Sequence, residues 1–250
     1  MTLDLTFYLF AIPAVIFVGI SKGGFAGGPA FAATPFLALV LQPTQAVAFL
    51  LPILMIMDAT ALRPYWKKWD REATRLMILG SLPGLALGTV LFGFINADMV
   101  RLMIGAIAIA FVVFQTALSR GWLVLGNKEL GPAHGLFWGG AAAFTSFISH
   151  AGGPPTAVYL LGRRLDKTTY QATTVLVFTF INASKFVCYL ALGLFSWDMG
   201  VAVLTLAPVA IAGTLLGVWL HKLIEPALFF RLTYAFLLLT GAKLIFDALT

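Results

Sequence analysis

Ten apolar runs, separated by short polar connections, take up almost the whole sequence. They fall approximately at 3–21, 29–41, 44–62, 74–95, 99–118, 131–149, 155–162, 170–194, 199–220 and 227–249. Runs of about 20 apolar residues match the hydrocarbon thickness of a bilayer, so the chain has room for some eight to ten crossings and no separate soluble domain. Composition agrees, with 60% of residues apolar and 10% charged, against roughly a quarter charged in soluble domains. The expected fold class is all-α, a polytopic integral membrane protein embedded in the lipid bilayer. The first run lacks a basic n-region and a small-residue cleavage site and leads directly into a Gly-rich bend, so it is expected to be retained and not cleaved as a signal peptide. Cys188 is the single cysteine, which excludes an intrachain disulfide and a Cys-based zinc or iron–sulfur site.

Two runs are too short to cross. At 1.5 Å per residue, 29–41 reaches about 20 Å and 155–162 about 12 Å, against a hydrocarbon core of about 30 Å. Both follow the same punctuation, Gly24-Phe25-Ala26-Gly27-Gly28-Pro29 and Ser149-His150-Ala151-Gly152-Gly153-Pro154, displaced by 125 residues. Downstream, Pro83, Gly88 and Thr89 coincide with Pro208, Gly213 and Thr214 at the same offset, and Asp58 falls opposite Asn182 at an offset of 124. Three colinear matches indicate duplication. The expected layout is two membrane repeats, 1–125 and 126–250, forming one membrane domain, each a Gly-broken helical hairpin plus three transmembrane helices.

Charge sets the orientation. Arg63, Lys67, Lys68, Arg71 and Arg75 crowd one connection, Arg120 and Lys128 a second, Arg163, Arg164 and Lys167 a third, and Lys222 and Arg231 flank a fourth. The positive-inside rule places these in the cytoplasm. The opposite connections hold Asp98 and Asp198, and both termini are expected outside. The same distribution, in short loops and not along one face, argues against nucleic acid as the partner of this basic chain. Equivalent loops of the two halves then lie on opposite sides, so the repeats are inverted, an arrangement widespread among secondary transporters. Trp66, Trp69, Trp122 and Trp197 lie at the expected boundaries and read as interfacial anchors.

Non-helical backbone at membrane depth is tolerated only inside protein or along a cavity. Each Gly-Gly-Pro break opens a helix, whose unpaired N–H groups and dipole suit an anion. Gly23, Gly24, Gly27, Gly28, Gly152 and Gly153 are therefore candidate substrate-binding residues, whereas Gly139 and Gly140 read as helix packing. Ionisable groups inside the spans cost about 2.5 to 3.5 kcal/mol each on the insertion scale and so need a purpose. Lys22 borders the first break and either contacts the anion or sits at a membrane surface. His150 occupies the second break and either donates to an anion, carries a proton or is a hydrogen-bonded structural residue. Asn182 and Lys185 share a helix face with Thr174 and Phe178, and Lys185 either contacts the anion or snorkels outwards. Asp58 is read foremost as a structural partner, with proton relay, alongside His150, as the alternative.

The three histidines, His134, His150 and His221, lie far apart in sequence with no His-Glu-x-x-His metal motif, and no phosphate-binding Gly-x-x-x-x-Gly-Lys-Ser/Thr loop occurs. Neither an enzyme nor ATP-driven transport is expected, and no cofactor. Gly19-Ile20-Ser21-Lys22-Gly23-Gly24-Phe25-Ala26-Gly27-Gly28-Pro29, its counterpart Ser149-His150-Ala151-Gly152-Gly153-Pro154-Pro155 and the two-unit layout resemble the sulfite exporter TauE/SafE family of mostly bacterial membrane permeases. The resemblance implies export of sulfite, an organosulfonate or a related small anion across the bacterial inner membrane. It does not supply Lys22 or His150 as family ligands. The reading from residues is a secondary transporter binding its anion near the midplane between two broken hairpins; an anion channel is the alternative, and a homo-oligomer is compatible with either.

Overall fold

The computed structural model describes residues 3–25, 30–123, 130–221, 223 and 227–250, and of these the side chains at 227–233 and 236 are not described. Gly27, Gly28, Lys128 and Lys222 therefore lie outside the described residues, as does the side chain of Arg231. Among the described residues all regular structure is helical: α1 (Leu5–Gly24), a 3-10 turn (Ala30–Ala32) running into α2 (Ala33–Leu37), α3 (Pro43–Leu62), α4 (Arg71–Phe94), α5 (Ala97–Ser119), α6 (Pro132–Ser149), α7 (Gly153–Gly162), α8 (Lys167–Ala191), α9 (Trp197–Leu220) and α10 (Ala227–Leu249). Six of them, α1, α3, α4, α5, α8 and α9, are long and apolar enough to cross a membrane.

The polar residues between the apolar runs start these helices. Asp4, Asp70, Asn96, Asp166 and Ser196 each accept a hydrogen bond from a first-turn backbone N–H, satisfying donors that lipid cannot. The exposed Asp166 carboxyl is held below the usual carboxylate range by hydrogen bonds from the side chain and backbone of Thr169 and the backbone of Thr168. Pro43 and Pro132 open α3 and α6, where a missing N–H costs nothing.

Both short runs are short helices. The first is the 3-10 turn and five-residue α2; the second is the ten-residue α7, about 15 Å long. α6 stops at Ser149, His150 takes a left-handed conformation (φ 57°, ψ 16°) and α7 begins at Gly153, so Gly152 lies in a break and not in a continuous helix. α6 and α7 pack against each other as a hairpin.

Glycines decide which helices approach most closely. α1 packs along α9 and α4 along α6. A methyl group on Gly23 would lie 2.1 Å from the Thr214 carbonyl oxygen, and one on Gly84 would lie 2.1 Å from that of Gly140. Gly139 faces Met77 in the same α4–α6 seam, so the Gly139-Gly140 pair packs helices as its sequence context indicates. α3 crosses α8 at the centre and α5 pairs with α10. The core is aromatic at one end, where Phe147 lies 5.0 Å from Tyr189 and 5.7 Å from Phe92, centroid to centroid. Trp66, Trp122 and Trp197 are exposed.

Overpacking a seam of this kind costs about 1–3 kcal/mol. Gly84→Ala is expected to lower the thermal unfolding midpoint in detergent. Gly200→Ala, at a helical position where a methyl group meets nothing within 4 Å, is expected to leave it unchanged or raise it slightly, by about 0.5–1 kcal/mol of helix preference.

Candidate functional site

Stopping a helix inside a membrane protein leaves carbonyls that need donors. At the end of α1, Gln171 Nε2 donates to the Lys22 carbonyl (2.7 Å), Tyr65 Oη to that of Gly23 (2.9 Å) and His221 Nδ1 to that of Gly24 (2.7 Å). At the end of α6, Tyr189 Oη donates to the Phe147 carbonyl and Lys185 Nζ lies 2.9 Å from that of Ser146. Tyr65 lies outside the helices, in the connection after α3, and burial pushes its phenol up to about 12, which keeps it a donor at any working pH.

The side chains at these two helix ends enter one narrow cleft, partly open to the exterior, with Lys22, Asp58, Ser146, His150, Phe178 and Asn182 on its wall. Lys22 Nζ forms an ion pair with Asp58 Oδ1 at 2.5 Å, with side chains 8% and 1% exposed. Asn182 Nδ2 donates to the other oxygen, Asp58 Oδ2, at 2.7 Å. Lys22 also lies 5.8 Å from the centre of the Phe178 ring. On the far side, His150 Nε2 lies 2.9 Å from the Val47 carbonyl oxygen and its Nδ1 lies 2.7 Å from Lys185 Nζ, which is also 3.0 Å from Ser146 Oγ.

Lys22, Asp58, His150, Asn182 and Lys185, spread over 164 positions of sequence, are thus brought together. Asp58 takes the structural pairing with a basic residue, and Lys22 is no surface residue. Lys185 is fully buried and does not snorkel; it stands behind Ser146 and His150 and not on the cleft wall. The described glycines of the two breaks are elsewhere. Gly23 and Gly24 lean on α9, Gly152 lies against the Phe178 ring and the Ala142 carbonyl, and Gly153 opens α7; none is on the wall. Ser146 was not singled out by the sequence, although it precedes His150 by four residues and so shares its helix face. Gln171, Tyr65, His221 and Tyr189 carry no sequence signal of their roles as carbonyl donors.

Charged groups converging on one cleft where helices are interrupted, inside a bundle of membrane-crossing helices, define a polytopic membrane protein of the small-solute transporter class. The chain belongs to the sulfite exporter TauE/SafE family, whose profile matches residues 11–244, from within α1 to within α10. No curated protein and no solved structure matches it.

Removing one partner of a buried ion pair leaves an uncompensated charge and costs about 3–5 kcal/mol, whereas removing both is far less damaging. Lys22→Met is expected to lower the unfolding midpoint sharply, and the double variant Lys22→Met/Asp58→Leu to recover most of the loss. Additive losses in the thermal unfolding of the two single and the double variants would mean that the pair is not a unit.

Proposed function

We propose that the protein is a secondary transporter, an exporter by family precedent, of a small anion such as sulfite or an organosulfonate, held between Lys22 and the Ser146–His150 wall. The observation that carries this reading is the composition of the cleft: a lysine, a serine, a threonine, an asparagine and a histidine against one carboxylate, all withdrawn from solvent, with Lys185 directly behind Ser146 and His150. Asp58 stands opposite Lys22 as an internal anion, which the cargo would have to displace or join. The ion pair and the packing of α1, α3 and α8 around it favour a carrier over an open anion channel.

In this reading the halves 1–125 and 126–250 are inverted repeats. In support, the seams are paired: α1 on α9 answers α6 on α4, while α3–α8 and α5–α10 join elements at equivalent places. Asp58 and Asn182, matched by their offset of 124, hydrogen-bond each other where α3 and α8 meet. Rocking of the α1–α9 pair on the α4–α6 pair would expose the cleft to alternate sides. In the same reading the protein sits in a bacterial inner membrane, and the positive-inside rule applied to the basic connections supports both termini outside.

A hydrogen bond to a charged group contributes about 1.5–3 kcal/mol. Proteoliposomes are therefore expected to show saturable sulfite or organosulfonate flux that Lys22→Gln reduces by about ten- to hundredfold. Absence of flux with every sulfur oxyanion and carboxylate would contradict the reading, and large unitary currents would replace the carrier with a channel.

A further inference from the structure

Lys185 and His150 are two nitrogen bases in direct contact, Nζ to Nδ1 at 2.7 Å. The Val47 carbonyl beside His150 Nε2 can only accept, so Nε2 carries the ring hydrogen and the neutral ring turns its Nδ1 lone pair towards Lys185. The ring reaches both partners because His150 ends α6 at φ 57°, a place usually taken by glycine. A side chain kept at such a backbone conformation marks a constraint beyond packing.

The charges around this dyad are few. Lys22 faces it from α1 and Asp58 from α3. α4 beyond Arg75 and α5 beyond Arg101 carry no charged residue, Asp198 and His221 stand at the two ends of α9, and Tyr159 is the one titratable side chain of α7. Both oxygens of Asp58 are already engaged, one by Lys22 and one by Asn182. An extra proton on the dyad would therefore be a buried positive charge without a carboxylate in contact, a costly state. Two adjacent bases also repel a second proton, so the dyad holds one excess proton or none.

We propose that the Lys185–His150 dyad is the proton site of the transporter, neutral when the cleft is empty and taking up one proton as one monovalent anion enters. This rests on the reading of the cleft as an anion site and names its coupling ion and the charge of its cargo. Ser146 links the two events. In the empty protein the Lys185 amine donates one N–H to the Ser146 carbonyl and one to His150 Nδ1, and its lone pair accepts the Ser146 hydroxyl hydrogen across 3.0 Å. A proton from the aqueous side adds to that lone pair, the third N–H of the resulting ammonium donates to Ser146 Oγ, and the hydroxyl hydrogen swings free. Ser146 is on the cleft wall, so that hydrogen is then donated to the anion. The only bond formed is N–H, and the loaded cleft is neutral: Lys22 with Asp58, the protonated dyad with the anion. A dianion would leave one negative charge uncompensated.

The test is titration calorimetry of the full chain in detergent with methanesulfonate, whose charge does not change with pH, in two buffers of different ionisation heat at about pH 8. Uptake of one proton per anion is expected, with affinity falling tenfold per pH unit, since the loaded form holds one more proton than the empty one. Lys185→Gln is expected to abolish proton uptake, and Ser146→Ala to keep it while weakening binding by about tenfold. Saturable binding with the same heat in both buffers would overturn the dyad's role and leave the anion site standing, and sulfate binding as tightly as methanesulfonate would overturn the monovalent cargo. No saturable binding of methanesulfonate at any pH would remove the anion site itself, and this inference with it.

Discussion

Lipid offers no hydrogen-bond partner, and the rest of the structure follows from how the ends of α1 and α6 satisfy their carbonyls without it. Five side chains do so, and three of them, Gln171, Lys185 and Tyr189, come from α8. Gln171 serves α1, and Lys185, 14 residues or about 21 Å further along α8, serves α6. One helix therefore fixes both interruptions relative to each other. From the end of α1 the long side chain of Lys22 reaches Asp58 on α3.

This arrangement explains why the glycines cluster as they do. An interrupted helix loses part of its own hydrogen-bond ladder, and close backbone contact compensates. Gly19, Gly23 and Gly24 let α1 lie on Gly213 and Gly217 of α9, and Gly80 and Gly84 let α4 lie on Gly139 and Gly140 of α6. Gly19, Gly23 and Gly24 thus hold the scaffold, while the cleft is lined by side chains. The two Gly seams are connected through α3, which packs on α9 and α8, and through α8, which packs on α4; Asp58 and Asn182 hydrogen-bond where α3 and α8 meet.

The fold class was legible because run length against bilayer thickness is a strong constraint, and the break at Ser149–Gly153 because Gly-Gly-Pro cannot continue a helix cheaply. The five charged and polar members of the cluster were legible for one reason: an ionisable or amide side chain in an apolar run must have a partner. What stayed hidden was which partner. Whether Lys22 faces an anion or Asp58 depends on how α1 and α3 are rotated, and periodicity is silent on that because α3 is apolar nearly all round, its residues mostly buried. Helix N–H groups at the second Gly-rich break were expected to face the anion; the residues of that region that line the cleft are Ser146 and His150, while Gly152 packs against Phe178. Tyr65, Gln171 and His221 were not legible at all, since a donor to a distant carbonyl is defined by tertiary geometry alone.

The central claim, that an anion lodges between Lys22 and the Ser146–His150 wall, is tested most directly by anomalous diffraction from crystals soaked in selenite, the selenium analogue of sulfite. The account predicts a single strong selenium peak inside the cleft, within hydrogen-bond distance of Ser146 Oγ and displacing or flanking the Lys22–Asp58 pair. A selenium peak elsewhere in the bundle, with the pair and the cleft unchanged, would contradict it.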